Sequence, residues 1–275
     1  MEFMTAPRRS RFALLLGVAL LAGLVAAPAT TAADETLTVS SAEIAMVAAL
    51  NADRHEKGLV PVRIDTRLMA IARARSADMV AHNYFSHTQP DGRNVFDIIK
   101  ASGITWYAAG EIIAKNDYPT FTTSLQAANL GWLGSPGHYA IVISTTYNYV
   151  GVGLAVDSSG NKYWTAVYLK GPDRTGAKAV ARTPTVTAGS TSSRRKVTVS
   201  WSGADVRLQV LTSGLYTYWI QRQTDTNWWV TVSSNTTRTS KAFDLARHHT
   251  YHFRIRARDK AGNWGNWSTV GVSLG

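Results

Sequence analysis

The chain has 275 residues, a net charge of +11 and no cysteine. Without cysteine there is no disulfide staple, no thiolate nucleophile and no cysteine-held metal, so stability rests on packing and any site chemistry on His, Ser and carboxylates. The charge is unevenly placed: residues 1–33 carry +2, residues 34–174 carry 12 basic and 13 acidic side chains, and residues 175–275 carry 14 basic and 4 acidic.

Residues 1–33 read as a secretory signal, with Arg8, Arg9 and Arg11 ahead of an apolar run and small residues from Ala29 to Ala33. The mature chain is expected to begin near Asp34, without a transmembrane span, outside the cell or at its envelope. The alternative is a signal retained as an anchor. Some 240 residues then suggest two domains, roughly 100–200 residues being ordinary for each. The expected division is residues 34–172, a linker over 173–182 within the stretch 171–195 where Gly, Pro, Ser and Thr gather, and residues 183–275.

In the first domain, Ser40 and Glu43 form a candidate capping box ahead of Ile44, Val47 and Leu50, with Gly58 placed to end the helix. A second helix after Asp65 turns Leu68, Ala72 and Met79 to one face and delivers His87 into a loop. A third carries Phe96 and Ile99 and stops at Gly103; a fourth runs over about 119–133. Val150, Val152, Leu154 and Val156 then alternate, turn through 157–161, and resume at Tyr163, a β-hairpin. In the second domain Val197, Val199 and Trp201 alternate, as do Tyr251, Phe253, Ile255 and Ala257. Strands near 216–222, 228–233 and 268–273 bring the total to about seven, the spacing of a β-sandwich.

Three stretches contain the candidate site residues: HNYFSH ending at His87, AAGEIIA around Glu111, and SPGH ending at His138. His82, His55 and the group His248, His249 and His252 read as surface residues. There is no HExxH, no GxSxG and no phosphate-binding glycine loop. Ser135 lies three residues before His138, but SPGH reads as a helix-to-loop turn rather than a Ser-His pair.

In order, LNADRHEKGLVPVRID, ARARSADMVAHNYFSHTQPDGRNVFDIIKASG, AAGEIIA, NLGWLGSPGH, YVGVGLAV and YWTAVYL resemble the CAP superfamily, the cysteine-rich secretory, antigen 5 and pathogenesis-related-1 proteins, in its cysteine-poor bacterial form. The resemblance covers about residues 43–170. It implies an α/β fold, a three-layer α-β-α sandwich with a cleft holding two His and up to two acidic residues. By motif these are His87, Glu111 in the family's ENIA element, and His138. The second acidic residue, three positions after a tryptophan, falls on Ser135, a hydroxyl. Ile112 stands where ENIA has asparagine, Tyr139 where bacterial members usually have arginine after GH, and Ile141 where asparagine follows. The altered surroundings suit a lipid-like or peptide ligand touching Ser135, Tyr139 and Ile112.

Two imidazoles and a carboxylate also suffice for Zn²⁺ or another divalent metal with an open fourth position. Three roles stay open: a ligand or metal cleft; a metal-assisted hydrolase, a peptidase in which His87 and His138 hold the ion and Glu111 is ligand or general base; and an adhesion protein whose first domain displays loops while the basic second domain attaches to the wall. The plainer reading of the three residues is that His87 and His138 support the cleft and Glu111 orients a loop. The second domain resembles an all-β fibronectin type III sandwich, with Tyr251 where a tyrosine corner would lie. Arg254, Arg256 and Arg258 are expected to stack with Trp264 and Trp267, leaving Arg194, Arg195 and Lys196 as freer contacts. The expected partner of this basic domain is a cell-wall or other anionic polymer rather than nucleic acid.

Overall fold

A computed structural model describes residues 37–275; the expected signal and the start at Asp34 lie outside the described residues. The first module places α1 (Val39–Glu56), β1 (Arg63–Ile64), α2 (Thr66–Ala81), α3 (Val95–Ala101), β2 (Ala108–Asn116), α4 (Phe121–Gly134), α5 (Pro136–Val142), β3 (Tyr149–Val156) and β4 (Lys162–Lys170) around one sheet of order β1-β3-β4-β2. β1 runs parallel to β3 and the other pairs are antiparallel.

Alternation along β4 divides the core between two layers. Trp164, Ala166 and Tyr168 pack with Met46 and Leu50 of α1 and Trp132 of α4, while Val167 and Leu169 pack with Leu68 and Ala72 of α2 and Ile99 of α3. The sheet is therefore covered on both faces, as expected. On β3, Gly151 and Gly153 face α2 so closely that a Cβ would lie 2.1 Å from the Leu68 carbonyl carbon and 2.2 Å from that of Ala72. Past β1 the outer edge of β3 is closed by side chains: the Val152 amide donates to Met69 Sδ at 3.0 Å and the Leu154 amide to Glu43 Oε1 at 3.1 Å.

Several local expectations are corrected. The cap of α1 is Thr38, not a Ser40–Glu43 box. Glu43 is buried and receives Arg73 Nη2 at 2.6 Å, because it must satisfy the β3 edge. Ile44 and Phe96 are exposed, while Val95 and Ile99 carry the buried face of α3. The expected fourth helix is α4, but a further short helix, α5, follows it at Ser135, so His138 lies in a helix rather than in a loop. Gly58 and Gly103 follow their helices at φ 69° and 66°, the left-handed geometry that favours glycine.

The C-terminal module is all β: β5 (Lys178–Ala181), β6 (Thr185–Ala188), β7 (Arg194–Ala204), β8 (Leu215–Thr224), β9 (Val230–Thr236), β10 (Ser240–Ala246), β11 (His249–Asp259) and β12 (Ser268–Leu274). One sheet has the order β10-β7-β5 with β6 also on β7, the other β12-β11-β8-β9. Their shared core contains Val197, Val199, Trp201, Ile220, Phe253 and Ile255. On the outer face, Arg254 and Arg256 each lie 4.5 Å from the Trp267 ring centre, and Arg256 and Arg258 lie 4.5 and 5.6 Å from that of Trp264. The stack also takes in Trp219 and Trp229, which the sequence reading did not single out.

The expected linker is structured. β5 begins at Lys178 and pairs with β7, and Ala177 is buried in the second core. Residues 36–275 form one compact unit. The β7–β8 loop seats Leu208 in the core beneath α2 and α3, and Gln209 Oε1 accepts the Val60 amide at 2.8 Å.

Two glycine substitutions separate close approach from backbone freedom. Gly151→Ala should destabilise by ~3 kcal/mol through overpacking against helix backbone. Gly131→Ala, in α4 with nothing within 4 Å of an added Cβ, should stabilise by roughly 0.5–1 kcal/mol. Urea unfolding midpoints that move together would break this account of the α2–β3 contact.

Candidate functional site

The site lies beside β2, the edge strand, where groups from both layers meet. Strand alternation turns Glu111 toward α2 and Ile112 toward α1 and α4. Ile112 has no exposed surface, so as a ligand-binding residue it is corrected to a core residue.

Glu111 is held from two sides. Arg75 Nε donates to its Oε1 at 2.9 Å, and His87 Nδ1 lies 2.7 Å from its Oε2. An ionised carboxylate only accepts, so His87 carries a proton on Nδ1, and the neutral ring has its lone pair on Nε2. The His87 side chain is 54 % exposed, whereas those of Arg75 and Glu111 are 0 % and 3 % exposed. The first imidazole thus stands on a buried ion pair while about half of its own surface meets solvent.

Arg75 does more than neutralise Glu111. Its Nη1 donates to Tyr84 Oη at 2.6 Å, and its Nη2 to the carbonyls of Ser86 and His87 at 2.8 and 3.2 Å. Tyr84 Oη donates in turn to Asp78, which also accepts Gln89 Nε2 at 2.8 Å. Burial works against the Arg75 charge, but Glu111 and Tyr84 outweigh it and raise the guanidinium pKa. The loop carrying His87 is fastened to helix α2 by two side chains, Arg75 and Asp78. The sequence reading missed Arg75, although it stands between Ala72 and Met79 on the apolar stripe of α2, where a charge needs a buried partner.

His138 comes from the opposite layer, on α5. Its pKa is lowered, first by burial and then by the charge of nearby His87. Among the described residues, however, His87, Glu111 and His138 do not form a group whose ligand atoms all lie within 4.8 Å of one another; Asp173, Asp205 and Asp259 do. These three are buried or half-buried and accept backbone amides, Thr175 and Ser213 for Asp173, Gly214 for Asp205 and Asn263 for Asp259.

Ser135 caps the start of α5 without a side-chain capping bond, and its carbonyl accepts the Tyr139 amide at 2.8 Å. Both residues are half-buried beside His138 in the chain. His82 is exposed at the end of α2, with Nδ1 3.0 Å from Asp78, as a surface residue should be. Arg194 is not free: its guanidinium pairs with Asp244 at 2.5 Å.

Residues 47–168 match the model of the cysteine-rich secretory protein family, CAP. The uncharacterized protein YkwD of Bacillus subtilis (strain 168) is 34% identical over 148 residues, which cover 52% of this chain and 54% of YkwD. The uncharacterized membrane protein YlbC of the same organism is 32% identical over 122 residues, 44% of this chain and 32% of YlbC. The chain therefore spans about half the length of one curated relative and a third of the other. An extracellular protein containing an SCP domain from Bacillus anthracis str. Ames, a solved structure, is 25% identical, covers 49% of this chain and 44% of its own, and superposes with a TM-score of 0.42.

His138 should titrate below 6.5. As the pH falls through that value the unfolded chain takes up the proton before the folded one, so this residue withdraws stability on acidification and contributes nothing well above it. His87→Ala should raise the His138 pKa part of the way, since burial, the larger cause, remains. An imidazole NMR titration unchanged by that substitution would contradict the proximity of the two rings.

Proposed function

We propose, from the premise that residues 47–168 are a CAP domain of the cysteine-rich secretory protein family, that this is an exported binding protein whose cleft takes a ligand between His87 and His138. The observation that supports binding over turnover is the engagement of both Glu111 oxygens. A general base needs a carboxylate oxygen within reach of substrate, and here the Glu111 side chain is 3 % exposed behind Arg75 and His87.

The residues fit a divalent metal in a particular way. His87 Nε2 and a His138 nitrogen are the available donors, and Glu111 acts behind His87, fixing its tautomer and ring orientation as carboxylates behind metal-bound histidines do. Glu111 is poorly reached as a direct third ligand, being 3 % exposed behind Arg75 and His87. A bound ion would supply Lewis acidity at the positions left open. A larger ligand, whether lipid-like or peptide, would touch Ser135 and Tyr139, both half-buried at the start of α5.

Calorimetric titration of the full chain with Zn²⁺ tests this. His87→Ala and His138→Ala should each weaken binding at least tenfold, and Glu111→Gln by about 10–100-fold through loss of orientation. If neither histidine substitution weakens binding, the metal reading fails. Peptide cleavage by wild-type protein that disappears in Glu111→Gln would favour the hydrolase instead.

The second module reads as fibronectin type III-like. Support comes from its two sheets and from Tyr251 at the start of β11, whose hydroxyl donates to the Ala246 carbonyl at 3.1 Å in the manner of a tyrosine corner. Residues 175–275 carry 14 basic and 4 acidic side chains, which supports attachment to an anionic wall polymer. Among the described residues no helix is long and apolar enough to cross a membrane. Retention of the full chain on such a polymer should fall steeply between low and high salt; retention indifferent to salt would remove the electrostatic account.

A further inference from the structure

Between the two modules lies an open groove of about 570 Å³, within the range of small-ligand sites. One wall brings Arg63 from β1 and Val206 from the β7–β8 loop; the other is the connection from Trp264 to Ser268; Thr175 to Val180 run along the floor. Its lining contains two cationic side chains, Arg63 and Lys178, and no carboxylate. Asp173, close by in sequence, is buried and accepts the Thr175 and Ser213 amides. Among the described residues Arg63 has no acidic partner; its Nη2 makes only a long contact, 3.4 Å, to the Arg207 carbonyl.

The groove is built rigidly. A Cβ on Gly176 would lie 2.3 Å from the Trp264 carbonyl oxygen, and one on Gly265 would lie 1.9 Å from that of Ala177. Only glycine at both positions lets the two segments cross there, and that crossing sets the floor. Trp264 and Trp267 cannot swing, because each is stacked between two guanidinium groups of β11. Those arginines add positive potential behind the indoles, so the field in the groove has one sign from both walls. The indole faces are taken, which leaves their edges, the exposed Asn266 amide and the Thr175 and Ser268 hydroxyls as neutral polar surface.

We propose that this groove binds one anionic sugar or polyol unit of a polymer, its carboxylate or phosphate on Arg63 and Lys178 and its hydroxyls on Asn266, Thr175 and the tryptophan edges. A charge-assisted pair with Arg63 fixes the anion, and the neutral donors and acceptors recognise the polyol. The site needs both modules, since Arg63 belongs to the first and Trp264, Asn266 and Trp267 to the second. It rests on the polymer-attachment reading above and is separate from the histidine cleft.

The test uses the full chain and three probes at moderate salt: tetragalacturonate, a glycerol-phosphate oligomer and neutral maltotetraose, followed by calorimetry and tryptophan fluorescence. Tetragalacturonate, the glycerol-phosphate oligomer or both should bind, and which of them does identifies the anion; maltotetraose should not. Arg63→Ala and Lys178→Glu should each weaken that binding at least tenfold. Lys57→Ala with Arg238→Ala, exposed cations outside the groove, should leave it unchanged. The proposal is overturned if neither anionic probe binds, if maltotetraose binds as well as they do, or if the Lys57 and Arg238 pair weakens binding as much as the groove variants. Salt-sensitive retention on the polymer that persists in Arg63→Ala without loss would overturn the groove while leaving attachment standing.

Discussion

A guanidinium sealed from solvent has to find its hydrogen-bond partners inside the protein, and Arg75 finds them in four places. Glu111, Tyr84 and the carbonyls of Ser86 and His87 together define where the loop after α2 runs. Removing one member of such a buried pair leaves the other charge stranded, at about 3–5 kcal/mol. The position of His87 therefore depends on helix α2 and strand β2 being in register with each other, which in turn depends on α2 lying directly on the glycines of β3. Site and core are one construction.

This dependence explains what was legible in the sequence. The helices, the β3–β4 hairpin and the alternating strands of the second module follow from periodicity, and the three motif stretches mark His87, Glu111 and His138. The direction of Ile112 was also available in principle: adjacent strand residues face opposite ways, so a Glu111 directed to the site places Ile112 in the core. Glu43 misled because its spacing from Ser40 satisfies a local capping rule, while a long-range demand, the unpaired Leu154 amide, claims it instead. Arg75 was hidden for a similar reason. Its partners lie 9 to 36 residues away, beyond the reach of any helical pattern.

The junction between modules shows the same limit. Gly, Pro, Ser and Thr over 171–195 read as a flexible connection, yet β5 is part of a sheet and Leu208 from the second module is part of the first module's core. Composition reports what a segment would do alone, and this one is not alone. Packing, hydrogen bonds and crossing glycines join the second module to the first, where composition alone suggested a tether.

The closed margin of β3 has a consequence for a protein without disulfides. A strand whose amides point outward unpaired is a template on which a second copy can add, and long-lived chains at high local concentration meet that hazard repeatedly. Here Met69 and Glu43 occupy the donors at Val152 and Leu154, so the most hydrophobic strand of the sheet offers no ready seam for polymerisation.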